Sequence, residues 1–142
     1  MNSIFHMALG ESARKRAIAY YRHSAEDKQE NSVPIQREHA RKFAQQHGIE
    51  IIHEEADEGK TGLLANRPGF VAIFDNWIEN DAAPSFEYIL VYDVSRWGRF
   101  QNQNEPAHYE FRCTMRNKKV IYIEDGFPKE DQMLIGSLQT AV

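Results

Sequence analysis

The stretch Ala17-Ile-Ala-Tyr-Tyr-Arg-His-Ser24 is a short apolar run that ends in an arginine, a histidine and a serine. Its aromatic and β-branched residues predict a strand. Because side chains alternate between the faces of a strand, Tyr20, Arg22 and Ser24 share one face. His23 lies on the other. A hydroxyl beside a permanent cation, with no histidine partner, suits attack on a phosphate better than attack on an acyl carbon.

Outward from this run, short β-type runs alternate with helical stretches, which is the pattern of a parallel sheet covered by helices. Strands are predicted at residues 16–21, 49–54, 86–92 and 119–123, and helices at 32–46, from 68 through 77, and at 104–117. The predicted fold is therefore a three-layer α/β domain with a mainly parallel sheet of four to five strands.

Turn and cap residues mark the predicted helix ends. Ser32-Val-Pro begins the first helix, and Gly48 ends it. Pro68 opens the second. Residues 57–66 carry two glycines and are predicted to form a mobile loop able to hold ligand contacts. Apolar residues keep helical spacing from Met133 to Val142, so this last helix is predicted to be cut off.

The composition of the 142 residues, 42% hydrophobic and 27% charged, fits one globular domain. The single cysteine, Cys113, is predicted to be a buried, reduced thiol of a cytoplasmic protein. No signal peptide and no run of about 18 apolar residues is present, which predicts no membrane partner. The formal charge of −4 argues against this chain alone being a strong nucleic-acid binder.

Four arginines are candidates to bind a phosphate: Arg22, Arg67, Arg96 and Arg99. Phosphoryl transfer needs positioning and charge stabilisation, which guanidinium groups supply. Ligands of open α/β sheets bind beyond the carboxyl ends of strands, where several of these residues fall. Singly, such arginines are more often solvated or paired with carboxylates. Trp97 is predicted to be a core or partner contact, and Gln36 faces inward, where structural and site roles are both open.

Other chemistries fit less well. The G-x-S-x-G elbow, the Walker loop and the dinucleotide-binding glycine pattern do not occur, and the six histidines lack metal-ligand spacing. Asp57, Glu58 and Asp93 could hold Mg²⁺, although carboxylates at loop ends are mostly solvated. We expect no metal and no nucleotide cofactor.

The order of motifs resembles the catalytic domain of serine recombinases, the resolvase and invertase family. Tyr20-Tyr-Arg-His-Ser24 is similar to its Y-x-R-x-S motif, and residues 29–36 to its Q-x-x-S-x-x-x-Q helix entry. Residues 57–70 resemble its flexible loop and arginine, and residues 91–99 its D-R-x-x-R block. The resemblance implies a resolvase-like fold, with an N-terminal extension at 1–15, the catalytic domain at 16–130 and the start of a long oligomerisation helix at 131–142.

The resemblance implies that Ser24 attacks a DNA phosphate and forms a 5′-phosphoserine link without metal or ATP. Integration, inversion and resolution all stay open as the outcome, and the resemblance implies DNA and a homodimer or tetramer as partners of the full-length protein. The phosphate-binding residues would be Arg22, Arg67, Arg96 and Arg99, with Gln36 nearby and Tyr20 in support. The fragment alone is expected to bind DNA poorly and to be inactive.

One position departs from the pattern, because Ser95 stands where many family members have the aspartate of D-R-x-x-R. A serine is no carboxylate acid or base near neutral pH. Our hypothesis is that Asp93 or Ser95 only orients the arginines. A non-catalytic oligomerisation or regulatory module on the same fold is the alternative function, and a small phosphate-ester hydrolase ranks below both.

Overall fold

The computed structural model describes residues 15–24, 29, 32–59, 67–97 and 105–126. Their elements are, in chain order, β1 (Lys15–Ser24), α1 (Val33–Gln46), β2 (Ile49–Gly59), α2 (Pro68–Ile73) continuing into a π-helical turn (Phe74–Ile78), β3 (Tyr88–Val91), α3 (Val94–Trp97), α4 (Glu105–Thr114) and β4 (Lys119–Tyr122). These strands are parallel, in the order β2-β1-β3-β4. The predicted α/β class with a parallel sheet is confirmed.

The side chains of β1 alternate between two apolar layers. Ala17, Ala19 and Tyr21 pack with residues of α1, whereas Ile18 and Tyr20 pack with residues of α2, the π-helical turn and α4. Helices therefore cover both faces of the sheet, as predicted. β1 lies between β2 and β3, so its end lies beside the end of β2 at Gly59 and next to the segment that follows β3.

The predicted starts of α1 and α2 and the glycine that ends α1 are confirmed, but the predicted cap by the Ser32 side chain is not. Ser32 is the residue before α1, which carries Pro34 in its first turn, although the Ser32 side chain makes no capping hydrogen bond. Gly48, just beyond α1, has a φ of +66°, a conformation that favours glycine. α2 begins at Pro68.

Three strand lengths differ from the prediction by several residues. β1 spans Lys15–Ser24 instead of residues 16–21. β2 continues to Gly59 instead of ending at residue 54, so Asp57 lies in a strand and the predicted loop begins later. β3 has four residues, fewer than the predicted 86–92. Residues 1–14, the remaining loop at 60–66 and the predicted long helix at 131–142 lie outside the described residues. In the described ranges, no helix is long and apolar enough to cross a membrane.

Cys113 of α4 and Trp97 are both fully buried in the same apolar layer, which confirms the predicted burial of Cys113 and the predicted core position of Trp97. Burial raises the pKa of the Cys113 thiol to about 12. At pH 8 only about one such thiol in ten thousand is ionised, so we expect a maleimide to leave native Cys113 unmodified over an hour. The same reagent should modify it fully in urea. Complete labelling of the native chain, read by intact mass, would contradict the burial.

Candidate active site

The end of β1 carries two buried polar residues, Arg22 and Ser24, which are 6% and 2% exposed. They are two residues apart on a strand, so their side chains leave the same face roughly 7 Å apart. β1 pairs with β2 through Ser24, but its pairing with β3 stops at Tyr20 opposite Val91. Beyond Tyr20, the main chain of β1 on the side of β3 therefore bonds to groups other than β3.

Two arginines join the end of β1 to the segment that follows β3. The Arg22 guanidinium donates to the carbonyl oxygen of Ser95 at 2.8 Å. In return, the guanidinium of Arg96 donates to the carbonyl oxygen of Arg22 at 3.1 Å. Arg96 is 2% exposed. The predicted meeting of these two segments at the carboxyl edge of the sheet is therefore present.

Arg67 brings a third segment to the same place. Its guanidinium lies over the ring of Phe70 at 3.9 Å and donates to the hydroxyl of Tyr20 at 3.3 Å. It also donates to the carbonyl oxygens of Arg96 at 3.3 Å and of Trp97 at 2.5 Å. Three of the four predicted arginines thus gather around the end of β1. The fourth, Arg99, lies outside the described residues.

Asp57 is a site residue that the sequence reasoning placed in a solvated loop, and that placement is wrong. Asp57 is 4% exposed. Its carboxylate accepts hydrogen bonds from the Tyr20 hydroxyl at 2.5 Å and from the N–H groups of Gly69 at 2.8 Å and Phe70 at 2.9 Å. Because α2 begins after Arg67, whose side chain cannot accept a hydrogen bond, its first N–H groups need an acceptor from elsewhere. The sequence therefore offered one signal for a buried acceptor such as Asp57: a helix start without an acceptor side chain at its cap position.

The Tyr20 hydroxyl links Asp57 to Arg67. Burial raises the pKa of Tyr20, the Arg67 charge opposes this rise, and the hydrogen bond to Asp57 adds to it. The net direction of the Tyr20 pKa shift is upward, so the phenol stays protonated and donates to the carboxylate.

A Cβ at Gly69 would lie 3.0 Å from the Ala56 carbonyl oxygen and 3.0 Å from Asp57 Oδ1, so only glycine fits without a shift.

Asp93 and Ser95 contact each other and the arginines. The Ser95 hydroxyl donates to Asp93 Oδ1 at 2.6 Å, and the same oxygen accepts the Arg96 N–H at 3.1 Å and lies 3.7 Å from Arg96 Nε. The carbonyl oxygen of Ser95 accepts a hydrogen bond from the Arg22 guanidinium. Both residues are thus placed where they can orient Arg22 and Arg96.

Gln36 faces inward, as predicted, and is fully buried. Its amide bonds to the main chain of Arg22, with Nε2 donating to the carbonyl oxygen at 2.8 Å and Oε1 accepting the N–H at 3.3 Å. In the described part of the chain, no three His, Cys, Asp or Glu side chains are grouped as metal ligands.

Comparison with known proteins identifies the family. Residues 17–139 match the family described as Resolvase, N terminal domain, and because this match spans most of the chain, the chain belongs to that family. A search of curated proteins found no match.

Three solved structures are similar. The N-terminal catalytic domain of TP901-1 integrase shares 21% identity, with 89% of this chain and 93% of that chain covered and a TM-score of 0.65. The C-terminal catalytic domain of ISC1926 TnpA, an IS607-like serine recombinase, shares 22% identity, with 89% of this chain and 80% of that chain covered and a TM-score of 0.62. A resolvase family site-specific recombinase from Streptococcus pneumoniae shares 22% identity, with 90% of this chain and 85% of that chain covered and a TM-score of 0.69. At these identities the likeness shows a common fold.

Proposed function

We propose that this chain is the catalytic domain of a site-specific DNA recombinase and that Ser24 is its nucleophile. The observation that carries the proposal is the meeting of Arg22, Arg67 and Arg96, from three segments, at the strand end that bears Ser24. Membership of the resolvase N-terminal domain family supports it, as do the solved structures, which are named as an integrase and recombinases.

The proposed reaction is a direct transfer of a DNA phosphate to serine. The Ser24 oxygen forms a bond to phosphorus as the bond from phosphorus to the 3′ oxygen breaks; the serine loses its proton and the 3′ oxygen gains one. The free 3′ hydroxyl of another strand then reverses the step and regenerates the serine. One phosphate ester replaces another, so the bond energy is retained and the exchange needs no ATP.

Guanidinium groups are the proposed source of transition-state stabilisation. Charge builds up on the oxygens of the phosphorane, and fixed donors in a site shielded from water stabilise it strongly. Arg22, Arg67 and Arg96 would supply these donors, joined by Arg99. Tyr20 would support Arg67, while Asp93 and Ser95 would orient Arg22 and Arg96. The arginines thereby take the part that a metal ion plays in other phosphoryl transferases.

The proposed DNA substrate must reach the hydroxyl of Ser24, a residue that is 2% exposed. A phosphate therefore contacts Ser24 only when neighbouring chain moves aside. We propose that binding of DNA by a homodimer or tetramer of the full-length protein provides this opening, so that the isolated 142 residues are inactive.

The test is to incubate the full-length protein with its site DNA, quench in detergent, and digest the covalent product for peptide mass mapping. We expect DNA to be attached to Ser24 through a 5′ phosphate, leaving a free 3′ hydroxyl. A His23→Ala variant is the matched control and should form the same adduct. Attachment at another residue, or a 3′ phosphate link, would refute the assignment. DNA that is bound and assembled without any adduct would favour the non-catalytic module.

A further inference from the structure

The amide of Gln36 bonds to both main-chain groups of one residue, Arg22. Its nitrogen donates to the Arg22 carbonyl oxygen at 2.8 Å, and its oxygen accepts the Arg22 N–H at 3.3 Å. A side-chain amide has the same donor and acceptor as a peptide group, so it can replace one residue of a neighbouring strand.

Such a replacement is needed at this point of the sheet. The pairing of β1 with β3 ends at Tyr20 opposite Val91, two residues before Arg22. Buried main-chain groups that lose a strand partner must be satisfied by other groups. Gln36 is fully buried, and α1 holds it by packing of Val33 and Ala40 against β1. The amide therefore extends the bonding of β1 past the end of β3.

We propose that Gln36 is a positioning residue that acts through the main chain of Arg22 and does not bind the DNA phosphate. This proposal rests on the proposed function. The Arg22 carbonyl that receives Gln36 also receives the guanidinium of Arg96 at 3.1 Å. By fixing this carbonyl, Gln36 places Arg96 as well as the strand end that leads to Ser24. A buried amide on α1 thus sets the geometry of two arginines and the nucleophile.

The first test uses amide hydrogen exchange of the free full-length protein, read at the Arg22 N–H. Gln36→Met keeps the length of the side chain but removes both hydrogen bonds. We expect its Arg22 amide to exchange at least tenfold faster than that of Gln45→Met, a matched control on the exposed face of α1. Equal exchange in the two variants would overturn the proposal.

Gln36→Glu serves as the conservative variant and guards against misfolding of Gln36→Met. Its carboxyl group keeps, in either protonation state, an oxygen that accepts the Arg22 N–H, so at pH 5 we expect Arg22 protection close to that of the wild type. Protection as low as in Gln36→Met at this pH would contradict the arrangement. These measurements need no DNA, so they remain informative even if the recombinase assignment fails.

A double-mutant cycle tests the consequence for the reaction. Cleavage rates with saturating site DNA are compared for wild type, Gln36→Met, Arg96→Ala and the double variant. If Gln36 acts by fixing the Arg22 carbonyl that the Arg96 guanidinium binds, Gln36→Met lowers the rate at least tenfold in the wild type but at most threefold in Arg96→Ala. Effects that multiply would indicate an independent contact with the phosphate and would overturn the proposal.

Discussion

Arg67→Lys is expected to lower the rate of DNA cleavage by the full-length protein about a hundredfold to a thousandfold, the usual effect of removing one fixed donor from a developing oxyanion. The charge is kept, but the planar fork is lost. In the structure this fork spans the Tyr20 hydroxyl and the carbonyl oxygens of Arg96 and Trp97 while it lies over the ring of Phe70. An ammonium group cannot keep these contacts and also face a phosphate. The measurement is the single-turnover rate of adduct formation at saturating DNA.

Arg112→Lys is the matched control for this variant. Arg112 also lies over two rings, those of Phe74 at 4.6 Å and Tyr109 at 5.3 Å, and binds the carboxylate of Glu79 with both ends of its fork. Within the described residues, no hydrogen bond joins the Arg112 side chain to a residue of the candidate active site. We expect its cleavage rate to stay within threefold of the wild type. Similar losses in both variants would show that Arg67 matters only for stability.

Asp57→Ala is expected to destabilise the domain by about 3–5 kcal/mol, because the Tyr20 hydroxyl and the N–H groups of Gly69 and Phe70 lose a buried acceptor together. This is a large part of the roughly 5–15 kcal/mol by which small domains are stable. Asp57→Asn retains one acceptor oxygen but turns an amide donor towards other donors, so we expect a smaller loss of about 1–3 kcal/mol. Urea denaturation of the 142-residue chain measures both free energies of unfolding.

Asp75→Ala provides the comparison, since Asp75 is exposed on the π-helical turn that follows α2. Its free energy of unfolding should change by less than about 0.5 kcal/mol, as for other surface substitutions. If Asp57→Ala is as stable as Asp75→Ala, the carboxylate does not hold the start of α2. The three hydrogen bonds would then be replaceable by water.

Local signals predicted α1 well, because its boundaries depend on neighbouring residues alone. Proline in the first turn and a glycine able to adopt a positive φ act within a few residues. The length of β2 was not predictable in this way. Its second half carries Glu54, Glu55 and Glu58, which resembles a loop in composition. β2 is an edge strand among the described strands, and an edge strand tolerates charged residues; strand order is not a local property.

The candidate site shows the same division. Ser24 and the four arginines were identified first from their residue types and their positions relative to the predicted strands, and then from the order of motifs, which resembles a known family. Their placement next to each other is confirmed for Arg22, Arg67 and Arg96, while their roles in catalysis stay predictions. Asp57 was missed, because a carboxylate becomes a buried acceptor only when a hydroxyl and a helix start from distant segments meet it.

The position of β1 between β2 and β3 also fixes when the site can exist during synthesis of the chain. Arg22 is made early, yet its guanidinium bonds to Ser95, 73 residues later. For β1, the partner strand β2 is made before the partner strand β3, residues 88–91, so the pairing with β3 becomes possible only later. A nascent chain therefore contains Ser24 and Arg22 before Arg67 and Arg96, which complete the arrangement at the end of β1, have been made.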